Sequence, residues 1–589
     1  MNFNKQLITR VISIGGLIMA VIACDNPTKV TGDMGQSILQ QVPYEEIDIS
    51  GELYLRTMRN FDRLEEERYR PDKVYLTEEE SGGWPGDTEG RTILGLVLDA
   101  QATKREPLYL QQILDRLPDM LNEKGYMGII YEGKVNEQQL SGNGWMLRGL
   151  CEYYEWKKDE KVLDYIKSIA NLFVMNQGEY RNYPIDTQLR DTKVGAESGS
   201  IQKSEGKWML SSDIGCVFIG MEGLIHAYKI LKDPALKEVI DELVQRFLEI
   251  DLIGIRAQTH ATLTACRGLI RLVGITGDDA YIQEVEKRWK LYKSDGMTET
   301  FANYNWFDRY DTWTEPCAIV DSYMVAVQLW QHTGNFEYRN DAELIYYNAL
   351  AHAQRSNGGF GCDNCPGEAA GTSFLKIHAY EAYWCCTMRG GEGMGSAVRY
   401  SVFTDGEAKV YFPFYHEGQF DIALPKSKSI SISEFTHYPF RNCIEFMVKT
   451  NTAGMTSLLF PIPYWMENVR ISLNGDQKYD IMKNEFYELK ADFKAGDRIV
   501  INYELPLRFE KTLNNKNTKS TNIKAFCGPL LLTIGESTEF SFLDTSGKNF
   551  KSVGCCRFKS ADGKIILSPI YHLLSPRLDS KSYQCKINY

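Results

Sequence analysis

No block of several lysines or arginines occurs anywhere in the 589 residues, and the formal charge of −12 is spread along the chain rather than gathered in a tail. A nucleic-acid partner needs a basic face, so no nucleic acid is expected. After the first 23 residues no stretch is long and apolar enough to span a bilayer. The highly charged, weakly hydrophobic composition of a disordered chain is also missing: 43% of residues are hydrophobic and 24% charged. What remains is a folded protein, too long for one hydrophobic core and expected to divide into two or three domains.

The N-terminus carries Lys5 and Arg10 ahead of an apolar run from Val11 to Ala23. That pattern suits a secretory signal and is too short for a comfortable membrane span. The run ends Val21-Ile22-Ala23-Cys24, which resembles the bacterial lipobox. Residues 1–23 are therefore expected to be a lipoprotein signal peptide, Cys24 the lipidation site, and 24–43 a polar tether to a membrane of the bacterial cell envelope, on its periplasmic face or outer surface.

From about residue 90 to 400 the apolar residues recur at helical spacing, in paired segments. Trp145 to Phe173 turns at Lys157-Lys158-Asp159, Val217 to Ile250 at Lys232-Asp233-Pro234, His260 to Tyr292 at Thr276-Gly277-Asp278, and Cys317 to Gln354 at Thr333-Gly334-Asn335. Arg91 to Ala102 and Leu108 to Leu121 supply earlier helices. Hairpins this long and unevenly spaced suit a closed toroid better than a solenoid of short repeats. The expectation is an (α/α)6 barrel over residues 44–400, with a polar site in the loops at one mouth. After Ser401 the period falls to two, as in Arg498-Ile499-Val500-Ile501-Asn502-Tyr503. A β-sandwich is expected over 401–510 and a smaller β module over 511–589, bracing the barrel rather than carrying chemistry.

Setting Cys24 aside, thirteen of the fourteen cysteines remain, an odd number that disulfides cannot fully use. Glu315-Pro316-Cys317, Cys362-Asp363-Asn364-Cys365 and the adjacent Cys385-Cys386 cluster in the sequence. Adjacent cysteines bond to each other with difficulty but can face one metal. One carboxylate and three thiolates from Glu315, Cys317, Cys385 and Cys386 would suit tetrahedral zinc. Cys362 and Cys365 are an equal candidate pair of ligands, and buried or disulfide-bonded cysteines are the alternative.

Glu-x-Cys followed by Cys-Cys on an exported helical chain resembles glycoside hydrolase family 127 and its relative, family 146, which are β-L-arabinofuranosidases. The resemblance extends to Gly83-Trp84, Gly125-Tyr126-Met127-Gly128, His260-Ala261-Thr262, Tyr346-Tyr347-Asn348-Ala349-Leu350 and Pro461-Ile462-Pro463-Tyr464-Trp465. It implies zinc (Zn2+) held by Glu315, Cys317, Cys385 and Cys386, with Cys385 as nucleophile. Glu299, sixteen residues before Glu315, takes the place of the family's acid/base. The implied activity is retaining hydrolysis of a terminal β-L-arabinofuranosyl or related sugar from a plant oligosaccharide or polysaccharide. His260 stands where a family histidine contacts sugar hydroxyls, and Trp145 replaces another family histidine. Tyr304, Asp308 and Tyr310 fall between Glu299 and Glu315 as candidate pocket residues, as do Asp87, Glu89, Arg389 and Glu392 near the other motifs. Departures are Met297-Thr298 before Glu299, where the family often has His-Gly, and Thr387-Met388 after the cysteine pair, where it has Pro and Asn. A carbohydrate-binding lipoprotein without activity, or an (α/α)6 lyase or unsaturated-uronide hydrolase, are the competing readings.

Overall fold

Reading along the chain, α1 (Gly51–Arg63) precedes α2 (Asp87–Thr103) and α3 (Leu110–Met120), then α4 (Glu137–Lys157) and α5 (Glu160–Met175). Next come α6 (Val217–Leu231) and α7 (Pro234–Leu248), α8 (Thr259–Thr276) and α9 (Ala280–Leu291), and α10 (Pro316–Thr333) and α11 (Phe336–Ile345). The short α12 (Ala351–Ala353) and α13 (Cys386–Arg399) complete the series. The computed structural model describes residues 39–186, 199–367, 369–372, 374–479, 481–511, 523–535, 549–571 and 584–586. The expected signal peptide, Cys24 and most of the tether lie outside the described residues.

Helices α2, α4, α6, α8, α10 and α13 each pack on the next, and α13 returns to α2. That closure makes them the inner ring of an (α/α)6 barrel, with α3, α5, α7, α9 and α11 outside and α1 packed against α13. The two rings differ in pattern because they differ in burial. α5 buries one stripe, Val162, Ile166, Ile169, Ala170 and Phe173, whereas α4 is buried all round from Glu137 to Tyr153. The polar turns seen in the sequence are caps. Asp159, Asp233 and Asn335 accept from backbone N–H groups at the starts of α5, α7 and α11. Left-handed Lys158, Lys232, Gly277 and Gly334 end the inner helices before them.

Inner helices α4 and α6 approach backbone to backbone: a Cβ on Gly144 would lie 2.3 Å from Gly220 Cα. Gly144→Ala is therefore expected to cost roughly 3 kcal/mol by overpacking, read as a lower denaturation midpoint. Gly274→Ala in α8, where a Cβ meets nothing within 4 Å, should instead gain about 0.5–1 kcal/mol. Equal effects of the two would refute this account of the ring.

Two sheets form the β-sandwich. One runs through Asp476–Lys478, Glu467–Leu473, Arg498–Glu504, Cys443–Asn451, Lys428–Thr436, Gly418–Leu424 and Ile47–Ile49; the other through Gln40–Gln41, Phe403–Thr404, Lys409–Tyr411, Met455–Ile462 and Glu485–Asp492. Burial alternates along Gly418–Leu424, as expected for a strand with one face in the core. Two of these strands precede the barrel. The sandwich thus reaches back to residues 40–49, which correct the expected tether of 24–43 and the barrel start at 44: Gln40 pairs with Thr404 and Ile49 with Gly418.

A third sheet starts at Leu507–Lys511, a little before the expected boundary of 511, and continues through Ile523–Cys527 and Leu530–Gly535 to Phe550–Gly554, Arg557–Ser560 and Ile566–Pro569. Through Gln584–Lys586 it also takes in Phe374–Ala379 and Cys362–Asp363, from the segment ahead of α13. This module therefore pins part of the barrel's own mouth. Among the described residues no helix is long and apolar enough to cross a membrane.

Candidate active site

The cysteines meet because the chain places each at the start of an inner helix. Glu315 is the N-cap of α10, with Pro316 in the first turn and Cys317 after it; Cys385 is the N-cap of α13 and Cys386 its first residue. Unsatisfied N–H groups and the positive end of the helix dipole favour thiolates and carboxylates there. α2 and α8 bring Asp87, Arg91 and His260 to the same mouth, which opens into a cavity of about 640 Å³.

One ligand atom from each of Glu315, Cys317, Cys385 and Cys386 lies within 4.8 Å of the others. The sulfur separations are 3.3 Å for Cys385 to Cys386 and 3.6 Å for Cys317 to Cys386. Tetrahedral zinc with bonds near 2.3 Å sets its sulfurs about 3.8 Å apart, so these residues fit a metal of that kind. Three thiols cannot all ionise side by side in a buried site without one. Arg91 Nη1 donates to Cys317 Sγ at 3.3 Å. Burial would push the Cys317 thiol up, but its hydrogen-bonded contacts with Cys385 and Cys386 and the Arg91 charge hold it well below the ordinary thiol range. The Cys317 sulfur in turn pushes Cys385 up, and burial pushes Cys386 up. A divalent cation would remove that conflict by favouring all three thiolates.

The carboxylate ligand is oriented from behind. His260 Nδ1 lies 3.3 Å from Glu315 Oε1 and its Nε2 3.5 Å from Asp321. Burial lowers the His260 imidazole, yet Glu315 and Asp321 outweigh it and raise it. Asn305 can donate to Glu315 Oε2 at 2.7 Å while accepting from Trp313 Nε1 at 3.2 Å. This is the supporting shell that fixes a ligand's geometry.

Below it the ring interior is charged. Arg267 pairs with Asp321 at 2.7 Å and Glu392 at 2.5 Å, Arg148 with Glu222 at 2.6 Å and Glu392 at 3.1 Å, and Arg389 with Asp321 at 2.5 Å and with Glu392. These three arginines and three carboxylates are buried, so each charge depends on the others to offset its desolvation. Arg389 and Glu392 therefore pair with each other, and neither lines the cavity.

The structure separates the other sequence candidates. His260 and Asp87 line the cavity; Trp145, Tyr304 and Glu299 are not among its lining residues. Trp145 lies fully buried with its ring 4.3 Å from the Arg91 guanidinium and 4.4 Å from that of Arg389, stacked 5.9 Å from His260. It packs beneath the cluster and does not reach the cavity lining. Tyr304 is buried edge-on against Tyr310 at 5.0 Å. Glu89 accepts from Leu76 N at 3.1 Å, and burial pushes its carboxyl up to about 7. Asp308 adopts a left-handed turn conformation. Cys362 lines the cavity beside Cys386, while Cys365 donates to Asn303 O at 3.5 Å; both are free. Glu299 is wholly buried, its Oε2 3.0 Å from Lys524 Nζ of the C-terminal sheet. Sequence reasoning missed Arg91 as a partner of Asp87 at 2.8 Å. Their spacing of one helical turn was the available signal.

The GH127 β-L-arabinofuranosidase catalytic-domain profile matches residues 56–398, and the GH127 middle-domain profile matches 409–506. A search of curated proteins returns no match. Among solved structures, the GH127 β-arabinofuranosidase BT3674 is 14% identical, with 94% of this chain and 98% of that one covered at a TM-score of 0.68. A GH127 β-L-arabinofuranosidase from Geobacillus stearothermophilus T6 is 13% identical, with 84% and 87% covered at a TM-score of 0.63. Helical toroid, β-rich C-terminal part and buried ligand cluster thus belong to a glycoside hydrolase, whose substrate is a carbohydrate. The chain is a member of the GH127 β-L-arabinofuranosidase family.

Proposed function

We propose that the chain is an exported, lipid-anchored retaining exo-glycosidase that removes a terminal β-L-arabinofuranosyl or closely related sugar from plant glycans. The observation that carries the reading is the position of Cys385. Cys385 and Cys386 both line the cavity, and of the three sulfurs in the cluster Cys385 alone is partly exposed. Export and the anchor rest on Val11 to Cys24, which lie outside the described residues.

Glu315, Cys317, Cys385 and Cys386 would hold zinc, which when bound keeps at neutral pH the thiolate form that a free thiol of pKa about 8.5 mostly lacks. The Cys385 thiolate attacks the anomeric carbon as the bond to the leaving oxygen breaks, and a carboxylic acid gives that oxygen its proton. The same carboxylate then takes a proton from water. That water displaces the sulfur and releases the sugar with its anomeric configuration retained, sulfur standing where most glycosidases use a carboxylate. By its place before Glu315 the proton donor is Glu299, whose carboxylate must then exchange Lys524 for the glycosidic oxygen.

Purified protein should carry about one zinc per chain and cleave an aryl β-L-arabinofuranoside with retention. Removal of the metal should abolish turnover and lower the denaturation midpoint. Full activity in a metal-free sample would sink the reading. Saturable binding of arabinofuranosides without any cleavage would favour the carbohydrate-binding alternative.

A further inference from the structure

We propose that Trp384, braced edge-on by Tyr383, forms a stacking platform for the sugar ring on the leaving-group side of the scissile bond, so that the preferred substrate is a terminal sugar joined to at least one further ring. This rests on the glycosidase reading of the same cavity.

The cavity has two unlike ends. At its buried end lie Asp87, Arg91, Gln258 and His260, polar groups suited to the hydroxyls of one terminal sugar, beside the ligand Glu315. Its outer wall is aromatic, made by Trp84, Trp313, His378, Tyr383 and Trp384. At about 640 Å³ the space falls in the range that takes a drug-sized ligand, whereas one pentosyl unit has only about ten non-hydrogen atoms. A second ring is needed to fill it.

The outer aromatics are placed at a cost the fold does not require. Trp384 is 52% and Tyr383 41% exposed, and of the ten tryptophans, all described, only Trp384 is exposed. Large apolar rings left side by side in water at a pocket rim mark a surface meant to be covered. Their geometry is set: the two rings meet edge to face at 5.1 Å, and the Arg68 guanidinium sits 3.8 Å from the Tyr383 ring. Trp313 and His378, stacked at 5.0 Å and 1°, line the same cavity. Trp384 immediately precedes Cys385 in the chain and both line the same cavity, so a ring resting on Trp384 shares that cavity with the sulfur. A flat aromatic face meets the apolar C–H face of a sugar while leaving its hydroxyls in water.

The test compares kcat/KM for a β-L-arabinofuranosyl disaccharide with that for methyl β-L-arabinofuranoside, whose leaving group has no ring. In Trp384→Ala the preference for the disaccharide should fall about tenfold, chiefly through KM, and Trp384→Phe should restore most of it. A separate arm follows tryptophan fluorescence during titration with neutral di-, tri- and tetrasaccharides of arabinose and galactose. Saturable quenching is expected in the wild type and its loss in Trp384→Ala. An unchanged preference, or unchanged binding in Trp384→Ala, overturns the platform, as does a wild type that binds none of the oligosaccharides. A wild type that binds them through Trp384 but cleaves no β-L-arabinofuranoside keeps the platform and refutes the proposed activity instead.

Discussion

Cys385→Ser is expected to lower kcat/KM on a β-L-arabinofuranoside by about 10⁴-fold or more, with little change in the denaturation midpoint. The asymmetry follows from where the sulfur stands. Cys385 is partly exposed at the cavity floor, whereas Cys317 and Cys386 are fully buried. A serine hydroxyl matches the thiol in shape but is a far weaker nucleophile at neutral pH. Three of the four candidate ligands remain, so metal should be retained in part. Cys317→Ser should behave differently. It removes the sulfur that accepts from Arg91 at 3.3 Å and leaves that buried guanidinium, already paired with Asp87, facing a poorer acceptor, so both stability and metal content should fall. Cys362→Ser is the control: Cys362 lines the cavity but stands outside the four-ligand set, and activity should stay within about tenfold of wild type, below the loss that removal of a catalytic group causes. A Cys385→Ser enzyme that keeps a tenth of its activity would assign the nucleophile elsewhere.

How much of this was legible in the sequence depends on whether the signal is local. Glu315, Cys317 and the Cys385-Cys386 pair could be read, because adjacent cysteines resist disulfide geometry and the first residues of helices are recognisable from Pro316 and the preceding turns. The (α/α)6 barrel followed by all-β domains was likewise legible from a change of period near residue 400. Trp145 was not. It lies on a helix buried on every side, and where no polar stripe exists the pattern cannot tell the cavity-facing side from the side packed beneath it. The strands Gln40–Gln41 and Ile47–Ile49 are too short to show alternation and find partners more than 350 residues away. The same distance problem hides the most consequential contact, between Glu299 and Lys524, which are 225 residues apart.

Glu299→Gln is expected to destabilise the protein by about 3–5 kcal/mol, the penalty for breaking a buried ion pair from one side. The Lys524 side chain is 1% exposed and that of Glu299 0%. Lys524 Nζ reaches both the Glu299 carboxylate at 3.0 Å and its backbone carbonyl at 3.2 Å, and lies 4.7 Å from the Phe301 ring. Once the carboxylate charge is gone, an ammonium remains in a dry site with weaker partners. Glu299→Gln combined with Lys524→Met removes both charges and should recover most of the loss, since paired removal of a buried ion pair is often close to neutral. The double variant also separates the two roles open to Glu299. If it protonates the leaving oxygen, activity stays down by about 10²–10⁴ in both variants, and the deficit shrinks for aryl glycosides whose leaving groups need no proton. If activity instead returns with stability, Glu299 serves to hold the C-terminal sheet against the barrel. The proton donor must then be sought among the carboxylates that line the cavity. Asp87 comes first, because burial raises its carboxyl even against the opposing charge of Arg91, and a raised carboxyl is what an acid working near neutrality requires.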